Sequence, residues 1–122
     1  KDSVWRRKVV KKIQENLSFD ATKIYESDSL LEINMNSIRW SMKQLRIDKP
    51  ITFASDLNVG GSKSELLSNI VREVGGTTYV SGPSGREYLD LTHFEGISVE
   101  FFEPRVDNYY SSLYNILLEK HL

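Results

Sequence analysis

Residues that could bind an anion cluster in a Gly/Ser-rich turn that follows a predicted strand and ends on an arginine. The backbone N–H groups of such a turn, together with a guanidinium, can bind a phosphate or a carboxylate. Glycine permits positive φ and Pro83 presets a bend, so a plain chain reversal would explain the same sequence. The residues that we predict to bind a ligand in this turn are Ser81, Gly82, Ser84, Gly85 and Arg86.

A second polar loop, from residue 55 to residue 63, precedes a predicted helix. Its end resembles a P-loop only superficially, because the required Gly-Lys pair is missing. Ser62 and Glu65 have the spacing of a capping box, in which the serine side chain accepts from the third helical N–H and the glutamate reaches back. Because a helix N-terminus favours negative charge, Lys63 is predicted to assist a bound phosphate there.

Side chains suited to catalysis are few. Asp56 and Asp90 are the predicted catalytic residues, because both are expected near the two polar loops, where they would orient a hydroxyl or an amine. His93 is one of two histidines, and a lone histidine is more often a surface or packed residue than a catalyst. The absence of cysteine excludes disulfides and thiolate chemistry. Metal-ligand spacing is also missing from the sequence, so we predict no metal site.

Length and composition set further bounds. A chain of 122 residues has the length of one compact domain, and 39% hydrophobic with 27% charged residues is typical of a globular protein. A net charge of −1 gives no long-range attraction to nucleic acid or to an anionic membrane. The sequence contains neither an apolar run long enough to cross a bilayer nor an apolar signal core, which predicts a cytoplasmic protein. Because the chain begins at Lys1, we expect the later part of a longer protein.

Residues 1–48 are predicted to be helical. Apolar residues recur at helical spacing from Val4 to Leu17 and again in a second helix, which is predicted to start after Ser27 or Asp28 and to end at about Arg46. The apolar stripe of this second helix is predicted to be core, and it consists of Leu30, Ile33, Ile38, Met42 and Leu45. The first helix is crowded with arginine and lysine. These side chains would form a phosphate-binding face with Trp5 as a stacking platform, or a solvated face opposite a buried stripe. The total charge close to zero favours the solvated face.

Residues 49–122 show short apolar runs divided by helices and Gly-containing loops, which is typical of a parallel α/β arrangement. The predicted strands are 51–54, 77–80 and 97–102, and the predicted helices are 62–74 and 111–122, with a short helix or turn at 86–94. The sequence thus predicts one α/β domain over residues 1–122. This domain is predicted to have a small parallel or mostly parallel sheet of about three strands, flanking helices and a helical N-terminal part. Loops that follow parallel strands meet at one edge, which would bring the two polar loops together.

A long part of the chain resembles a known family. The matching segments are Leu66–Ile70, Gly75–Asp90, Phe94 and Gly96–Phe101. On these residues the chain is similar to the WbqC-like protein family, and we identify it with the C-terminal portion of such a protein, with an N-terminal Gln- and Tyr-containing family segment absent. The resemblance implies a bacterial cytoplasmic protein of O-antigen or other cell-surface polysaccharide synthesis, in a family whose activity is poorly defined.

The leading hypothesis is a protein that binds a phosphorylated or nucleotide-activated metabolite of polysaccharide assembly and catalyses a transfer reaction. In it, Arg86 would neutralise the phosphate and the turn would supply hydrogen-bond donors. The small number of catalytic groups favours the alternative, a non-catalytic binding or scaffold module of the same pathway. A nucleic-acid binder is a third hypothesis that depends only on the basic first helix. The sequence indicates neither a cofactor nor an oligomeric state.

Overall fold

The computed structural model of the chain describes residues 4–105 and 111–119. Its helices and strands in chain order are α1 (Val4–Leu17), α2 (Leu30–Gln44), α3 (Lys63–Glu73), β1 (Thr78–Ser81), α4 (Gly85–Tyr88), β2 (Ser98–Phe101) and α5 (Ser112–Glu119). They fall into two compact units, residues 4–49 with 111–119 and residues 50–105. The assignment of all 122 residues to a single domain stays a prediction.

Helices α1 and α2 of the first unit form where the apolar spacing predicts helices. Helix α1 has the predicted bounds, and after it Ser18, with a φ of +50°, donates its backbone N–H to the Gln14 carbonyl at 3.0 Å. Helix α2 begins after Ser29, whose side chain accepts from the Glu32 backbone N–H at 3.3 Å. The predicted helical character of this part of the chain is confirmed.

The core of the first unit is built from α2, α5 and the segment that joins α1 to α2. Its buried hydrophobic side chains are Ala21, Ile24, Ile33, Met35 and Ile116. The predicted α2 core stripe is wrong in part, because Leu30 is 69% exposed and both Ile38 and Leu45 are exposed as well. The buried residues of α2 are Ile33 and Met35, which lie two positions apart and therefore on different faces of the helix, so burial does not follow the predicted stripe.

Helix α5 contacts α2 within the first unit. The sequence predicts this helix over residues 111–122, and its described part runs from Ser112 to Glu119. Residues 120–122 of the prediction lie outside the described residues. Each helix in the described ranges is too short or too polar to cross a membrane.

The second unit contains a small parallel sheet. Strand β1 pairs with β2 in a register that sets Thr78 opposite Ser98 and Ser81 opposite Phe101. The connection between the strands carries α4 and a 3-10 turn at Leu91–Phe94, and parallel strands require a crossover of about this length. The predicted parallel pairing of these two strands, and the helices that flank them, are confirmed.

The strand predicted at 51–54 is wrong. Its first three residues have no regular structure, and the last begins a 3-10 turn at Ala54–Asp56. The Asp56 N–H donates to the Phe53 carbonyl at 3.0 Å, and the Leu57 N–H donates to the Ala54 carbonyl at 3.2 Å. Backbone groups that are satisfied within a turn need no neighbouring strand, so a short apolar run alone does not specify one. Within the described residues the sheet has two strands.

One small core joins the elements of the second unit. Val71 of α3 and Phe94 of the 3-10 turn are buried, and the Phe94 ring lies against Tyr79 of β1 with 5.3 Å between the ring centroids. Burial raises the pKa of the Tyr79 phenol. Because α3, β1 and the 3-10 turn share this core, the residues before Phe94 are held close to α3.

Candidate functional site at the start of helix α3

The chain enters α3 through an irregular turn. Gly61 and Lys63 have φ values of +103° and +51°, so a non-glycine residue lies in the left-handed region at the first helical position. Ser62 occupies the N-cap position, but its side chain makes no capping hydrogen bond with the described residues. The predicted capping box is therefore wrong in its hydrogen bonds. A regular N-cap residue is followed by residues with helical φ, whereas Lys63 at the first helical position has a positive φ.

The first turn of α3 is tied to the segment that follows α4. The Asp90 backbone N–H donates to the Ser64 hydroxyl at 2.9 Å, and Ser64 is only 5% exposed. A buried hydroxyl needs a hydrogen-bond partner, and here the partner belongs to a residue far along the chain. This contact places the carboxylate-bearing Asp90 beside the start of the helix.

Asp90 has a defined local geometry. Its carboxylate accepts from the Thr92 hydroxyl at 2.6 Å and from the Thr92 backbone N–H at 3.1 Å. These hydrogen bonds, that of the hydroxyl first, lower the pKa of the Asp90 carboxyl below its usual range and keep it ionised at neutral pH. The same carboxylate lies 3.7 Å from His93 Nε2, so it forms an ion pair when the imidazole is protonated.

Arg72, on the last turn of α3, holds the His93 segment by its backbone. The guanidinium donates to the His93 carbonyl at 2.8 Å and to the Glu95 carbonyl at 3.1 Å. It also donates to the Ser68 hydroxyl at 3.1 Å, which fixes the side chain on its own helix. A planar guanidinium can make several such bonds at once. The two ends of α3 thus position the Asp90–His93 pair.

A hollow of about 200 Å³ opens between the start of α3 and this segment. Its lining residues are Ser62, Lys63, Ser64, Glu65, Tyr88, Asp90 and His93. Lys63 and the N-terminal N–H groups of α3 favour an anion, whereas Glu65 and Asp90 disfavour one. Glu65 belongs to the same first turn of α3 as Lys63, so a carboxylate lies beside the ammonium at the helix terminus, and Asp90 adds a second carboxylate to the lining. This mixed charge suits a ligand that carries an anionic group together with a hydroxyl or an amine.

Two of the residues predicted to form a site line this hollow. Lys63 lies at the helix start and Asp90 lies opposite it. Asp56 ends the 3-10 turn at Ala54–Asp56, where its carboxylate accepts from the neighbouring Ser55 hydroxyl at 3.5 Å, and it is not among the residues that line the hollow. The structure brings Lys63 and Asp90 together and leaves Asp56 apart from them.

The predicted ligand-binding turn has a different environment. Ser81 is buried at the end of β1, and a Cβ atom added to Gly85 would lie 2.1 Å from the Ser81 hydroxyl oxygen, so Gly85 permits a close approach. Gly82 and Ser84 are exposed in the turn itself. The Arg86 guanidinium pairs with the Glu103 carboxylate at 2.5 Å and lies 4.7 Å from the centre of the Phe101 ring. The positive charge of Arg86 is thus already shared with a carboxylate.

Two comparisons with known proteins give a match, one to a family profile and one to a single protein. The profile of the WbqC-like protein family matches residues 1–116. The chain belongs to the WbqC-like protein family. An uncharacterized protein of Mycobacterium tuberculosis is 39% identical over 44 residues, which are 36% of this chain and 19% of that protein. The matched part thus spans about a fifth of the relative's length. No solved structure matches the chain.

The extent of the family match corrects one expectation from the sequence. The profile matches nearly the whole chain, residues 1–116, and not a C-terminal portion alone. The match begins at residue 1 and includes α1 and α2 as well as the second unit, so that expectation is wrong. The family relationship therefore extends over the helical and the α/β parts of the chain.

Sequence reasoning assigned no site role to five residues of the hollow in this WbqC-like protein. They are Ser62, Ser64, Glu65, Tyr88 and His93, of which Ser62 and Glu65 were predicted only as capping residues. The spacing of Asp90 and His93 carries a signal, since residues three apart approach each other in a helical turn. Ser64 carries no such signal, because its contact with Asp90 joins distant parts of the chain. Among the described residues, no group of three or more His, Asp or Glu side chains is arranged to hold a metal ion.

Proposed function

We propose that this WbqC-like protein binds a phosphorylated or nucleotide-linked metabolite of bacterial cell-surface polysaccharide synthesis in the hollow at the start of α3. The polysaccharide context is what the family resemblance implies. The observation that carries the proposal is the position of Lys63 and the α3 N-terminus opposite the Asp90–His93 pair. Lys63 and the helix terminus suit a phosphate, with Glu65 as an opposing charge in the same turn, and the Asp90–His93 pair suits a group that exchanges a proton.

The anion side rests on two features that act together. The first turn of α3 presents backbone N–H groups that have no partner within the helix, as at every helix start. The Lys63 ammonium adds a full positive charge at the same place. A helix terminus alone favours an exposed anion by about 0.3–1 kcal/mol, so the lysine is needed to give useful affinity. A single phosphate group also fits the small volume of the hollow.

The opposite side supports a transfer reaction. His93 Nδ1, the ring nitrogen that does not face the Asp90 carboxylate, would accept the proton of an acceptor hydroxyl or amine as the acceptor oxygen or nitrogen forms a bond to the transferred group. The bond between that group and the donor phosphate would break, and the phosphate would keep the electron pair beside Lys63. The Asp90 carboxylate, whose pKa the Thr92 hydrogen bonds lower further, would stabilise the imidazolium that forms.

The proposal places the anion at Lys63 rather than at Arg86. The two cations differ in their partners, because Arg86 pairs with the Glu103 carboxylate, while Lys63 forms no ion pair with any described residue. An anion at Arg86 would compete with that carboxylate. The ligand-binding roles predicted for the turn from Ser81 to Arg86 and the catalytic role predicted for Asp56 stay predictions.

Titration calorimetry of the purified chain with inorganic phosphate, nucleoside diphosphates and nucleotide sugars tests the binding step. Lys63→Gln should weaken binding about fivefold, the effect of losing one exposed charge contact of about 1 kcal/mol. Lys49→Gln, the same change at an exposed lysine outside the hollow, should leave it unaltered. Arg86→Gln tests whether the phosphate binds instead at the turn from Ser81 to Arg86. If Arg86→Gln weakens binding and Lys63→Gln does not, the turn and not the hollow holds the phosphate.

Release of phosphate or nucleotide, followed by 31P NMR with an activated sugar or acyl donor, tests the transfer step. His93→Asn should retain the affinity for the donor and lose turnover. Donor binding without turnover in the parent chain would assign the non-catalytic binding or scaffold module instead. Affinity for nucleic acid that falls steeply with salt would support the third hypothesis from the sequence.

A further inference from the structure

A groove of about 730 Å³ lies on the first unit, between α1 and the segment that joins α1 to α2. Its lining residues are Arg6, Arg7, Val10, Lys11, Gln14, Glu15, Asp20, Thr22, Tyr25 and Glu26. The volume is in the range of pockets that hold drug-sized organic ligands. All of these residues belong to the first unit, whereas the hollow at α3 belongs to the second. The groove is therefore a separate feature of the molecule.

The floor of the groove is partly apolar and aromatic. Val10 is half-buried on α1, and Tyr25 is half-buried in the joining segment. The Trp5 ring meets the Tyr25 ring edge to face, with 6.3 Å between centroids and 85° between the ring planes. This contact orients the Tyr25 ring, because edge-to-face aromatic pairs have a preferred geometry. An oriented ring beside an aliphatic side chain suits an apolar group of a ligand.

Half of the charges on the walls are neutralised within the protein. The Arg6 guanidinium donates to the Asp28 carboxylate and to the Ser27 carbonyl. Lys11 pairs with Glu15 at 3.7 Å, one turn along α1. Arg6 and Lys11 therefore attract an anionic ligand less strongly than an unpaired cation would.

The remaining charges have opposite sign on opposite walls. Arg7 projects from α1, and among the described residues no ion pair or side-chain hydrogen bond of Arg7 or Glu26 is found. Asp20 is bound by the Thr22 hydroxyl and backbone N–H, which lower the pKa of its carboxyl and keep it ionised. The wall formed by α1 thus offers a guanidinium, and the wall formed by the joining segment offers two carboxylates.

We infer that the groove binds a short peptide with free termini, whose carboxylate pairs with Arg7 and whose ammonium pairs with Asp20 and Glu26. An Arg guanidinium is suited to a carboxylate because it can donate two parallel hydrogen bonds. An ammonium group is suited to two carboxylates because it has three donors. Gln14 and Thr22 offer hydrogen bonds to the peptide groups, and Val10 with Tyr25 receives an apolar side chain.

Both charge contacts are needed to distinguish a peptide from other ligands of this size. A nucleotide would bring only negative charge, and the two carboxylates would repel it. A ligand with an ammonium but no carboxylate would leave Arg7 without a counterion. The binding of a zwitterion is independent of the phosphate site at α3, so either inference stands if the other fails.

The test is an NMR titration of the full chain with the tripeptide Ala-Phe-Ala in four forms. These are the free peptide, its N-acetylated form, its C-terminal amide and the form blocked at both ends. The free peptide should shift the backbone amides of residues 6–15 and 20–26. Each single block should weaken binding about threefold to fivefold, as expected for the loss of one exposed ion pair of up to about 1 kcal/mol.

Two variants assign each charge to its partner. Arg7→Gln should lower the affinity for the free peptide and leave the affinity for the C-terminal amide unchanged. Glu26→Gln should lower the affinity for the free peptide and leave the affinity for the N-acetylated form unchanged. Lys12→Gln is the matched control, since Lys12 is an exposed cation of α1 that does not line the groove. Equal binding of the free and doubly blocked peptides would overturn the inference. So would the lack of any shift at millimolar peptide, or an equal effect of Lys12→Gln.

Discussion

The backbone N–H of Asp90 donates to the hydroxyl of Ser64 at 2.9 Å, and this bond joins the Asp90–His93 segment to the first turn of α3. Asp90 is exposed, so its position depends on its backbone rather than on packing of its side chain. Ser64, in contrast, is buried. The stability of the hollow at α3 therefore depends on a side chain that has no catalytic role.

Ser64→Ala should destabilise the second unit by about 1–2 kcal/mol, because the Asp90 N–H then loses its acceptor in a partly buried place. Amide hydrogen exchange of the second unit measures this cost, and the Asp90 amide itself should exchange faster. Ser55→Ala is the control, since Ser55 is exposed and its hydroxyl contacts only the adjacent Asp56 at 3.5 Å. Unchanged protection of the Asp90 amide in Ser64→Ala would contradict the role of this bond.

Arg72→Gln should lower the stability of the second unit by about 1–2 kcal/mol and increase the mobility of the His93 segment. The change removes the guanidinium bonds to the His93 and Glu95 carbonyls, and bonds from a charged donor are stronger than neutral ones. Chemical denaturation and NMR relaxation of the His93 amide measure the two effects. Arg39→Gln, on an exposed arginine of α2, removes the same charge and should alter neither. Equal effects of the two variants would show that charge, not these bonds, matters.

Gly85→Ala should destabilise the turn after β1 by about 1–3 kcal/mol through overpacking. The new methyl group would lie 2.1 Å from the Ser81 hydroxyl oxygen and 3.2 Å from a Leu89 methyl carbon. Gly82→Ala is a matched control in the same turn, because no described atom lies within 4 Å of the Cβ position there. Thermal unfolding compares the two. Adding Ser81→Ala to Gly85→Ala should recover part of the loss, and a failure to do so would place the strain elsewhere.

Thr92→Val should raise the pKa of the Asp90 carboxyl toward its ordinary value of 3.8. The hydroxyl bond is the main cause of the lowered pKa, and the variant retains only the bond from the residue 92 backbone N–H. A carboxyl NMR titration measures the change. Thr22→Val is the matched control, since it should raise the pKa of Asp20 and leave that of Asp90 unaltered.

The contact between Asp90 and Thr92 also makes the folding stability of the chain depend on pH. A group whose pKa is lower in the folded state stabilises that state above its unfolded pKa, and this contribution is lost as the pH falls through the folded value. The difference in stability between the parent chain and Thr92→Val should therefore be present at neutral pH and shrink below pH 3.8. A difference that persists unchanged in acid would point to altered packing instead of the carboxylate.

Local features of the fold are predictable from the sequence when the spacing of apolar residues repeats over several helical turns. Helix α1 has the predicted bounds because its apolar and charged residues alternate at helical spacing over its whole length. The strand predicted at 51–54 is wrong because a run of three apolar residues and one threonine after a proline fits a strand and a turn equally well. The predicted parallel pairing of β1 and β2 is confirmed. It is predictable because the segment between the two strands has the pattern of a short helix or turn, as a crossover between parallel strands requires.

The candidate site shows the same limit. Lys63 and Asp90 are predicted as site residues because they lie in or near the polar loops, and both line the hollow. Their neighbours in that hollow follow from contacts between distant residues, such as Asp90 with Ser64 and Arg72 with His93. A sequence pattern reports spacing along the chain, and these contacts depend instead on the small core that α3, β1 and Phe94 share.

The sequence alone determined the family, the helical N-terminal part, the parallel strand pair and the presence of polar loops beside α3. Each of these depends on residue types at short spacing, which periodicity and chain stiffness translate directly into structure. Tertiary structure alone decided that Lys63 faces Asp90 and His93, that Arg86 pairs with Glu103, and that α1 forms one wall of a groove. Such pairings depend on where packing places remote segments, and local propensity does not encode that placement.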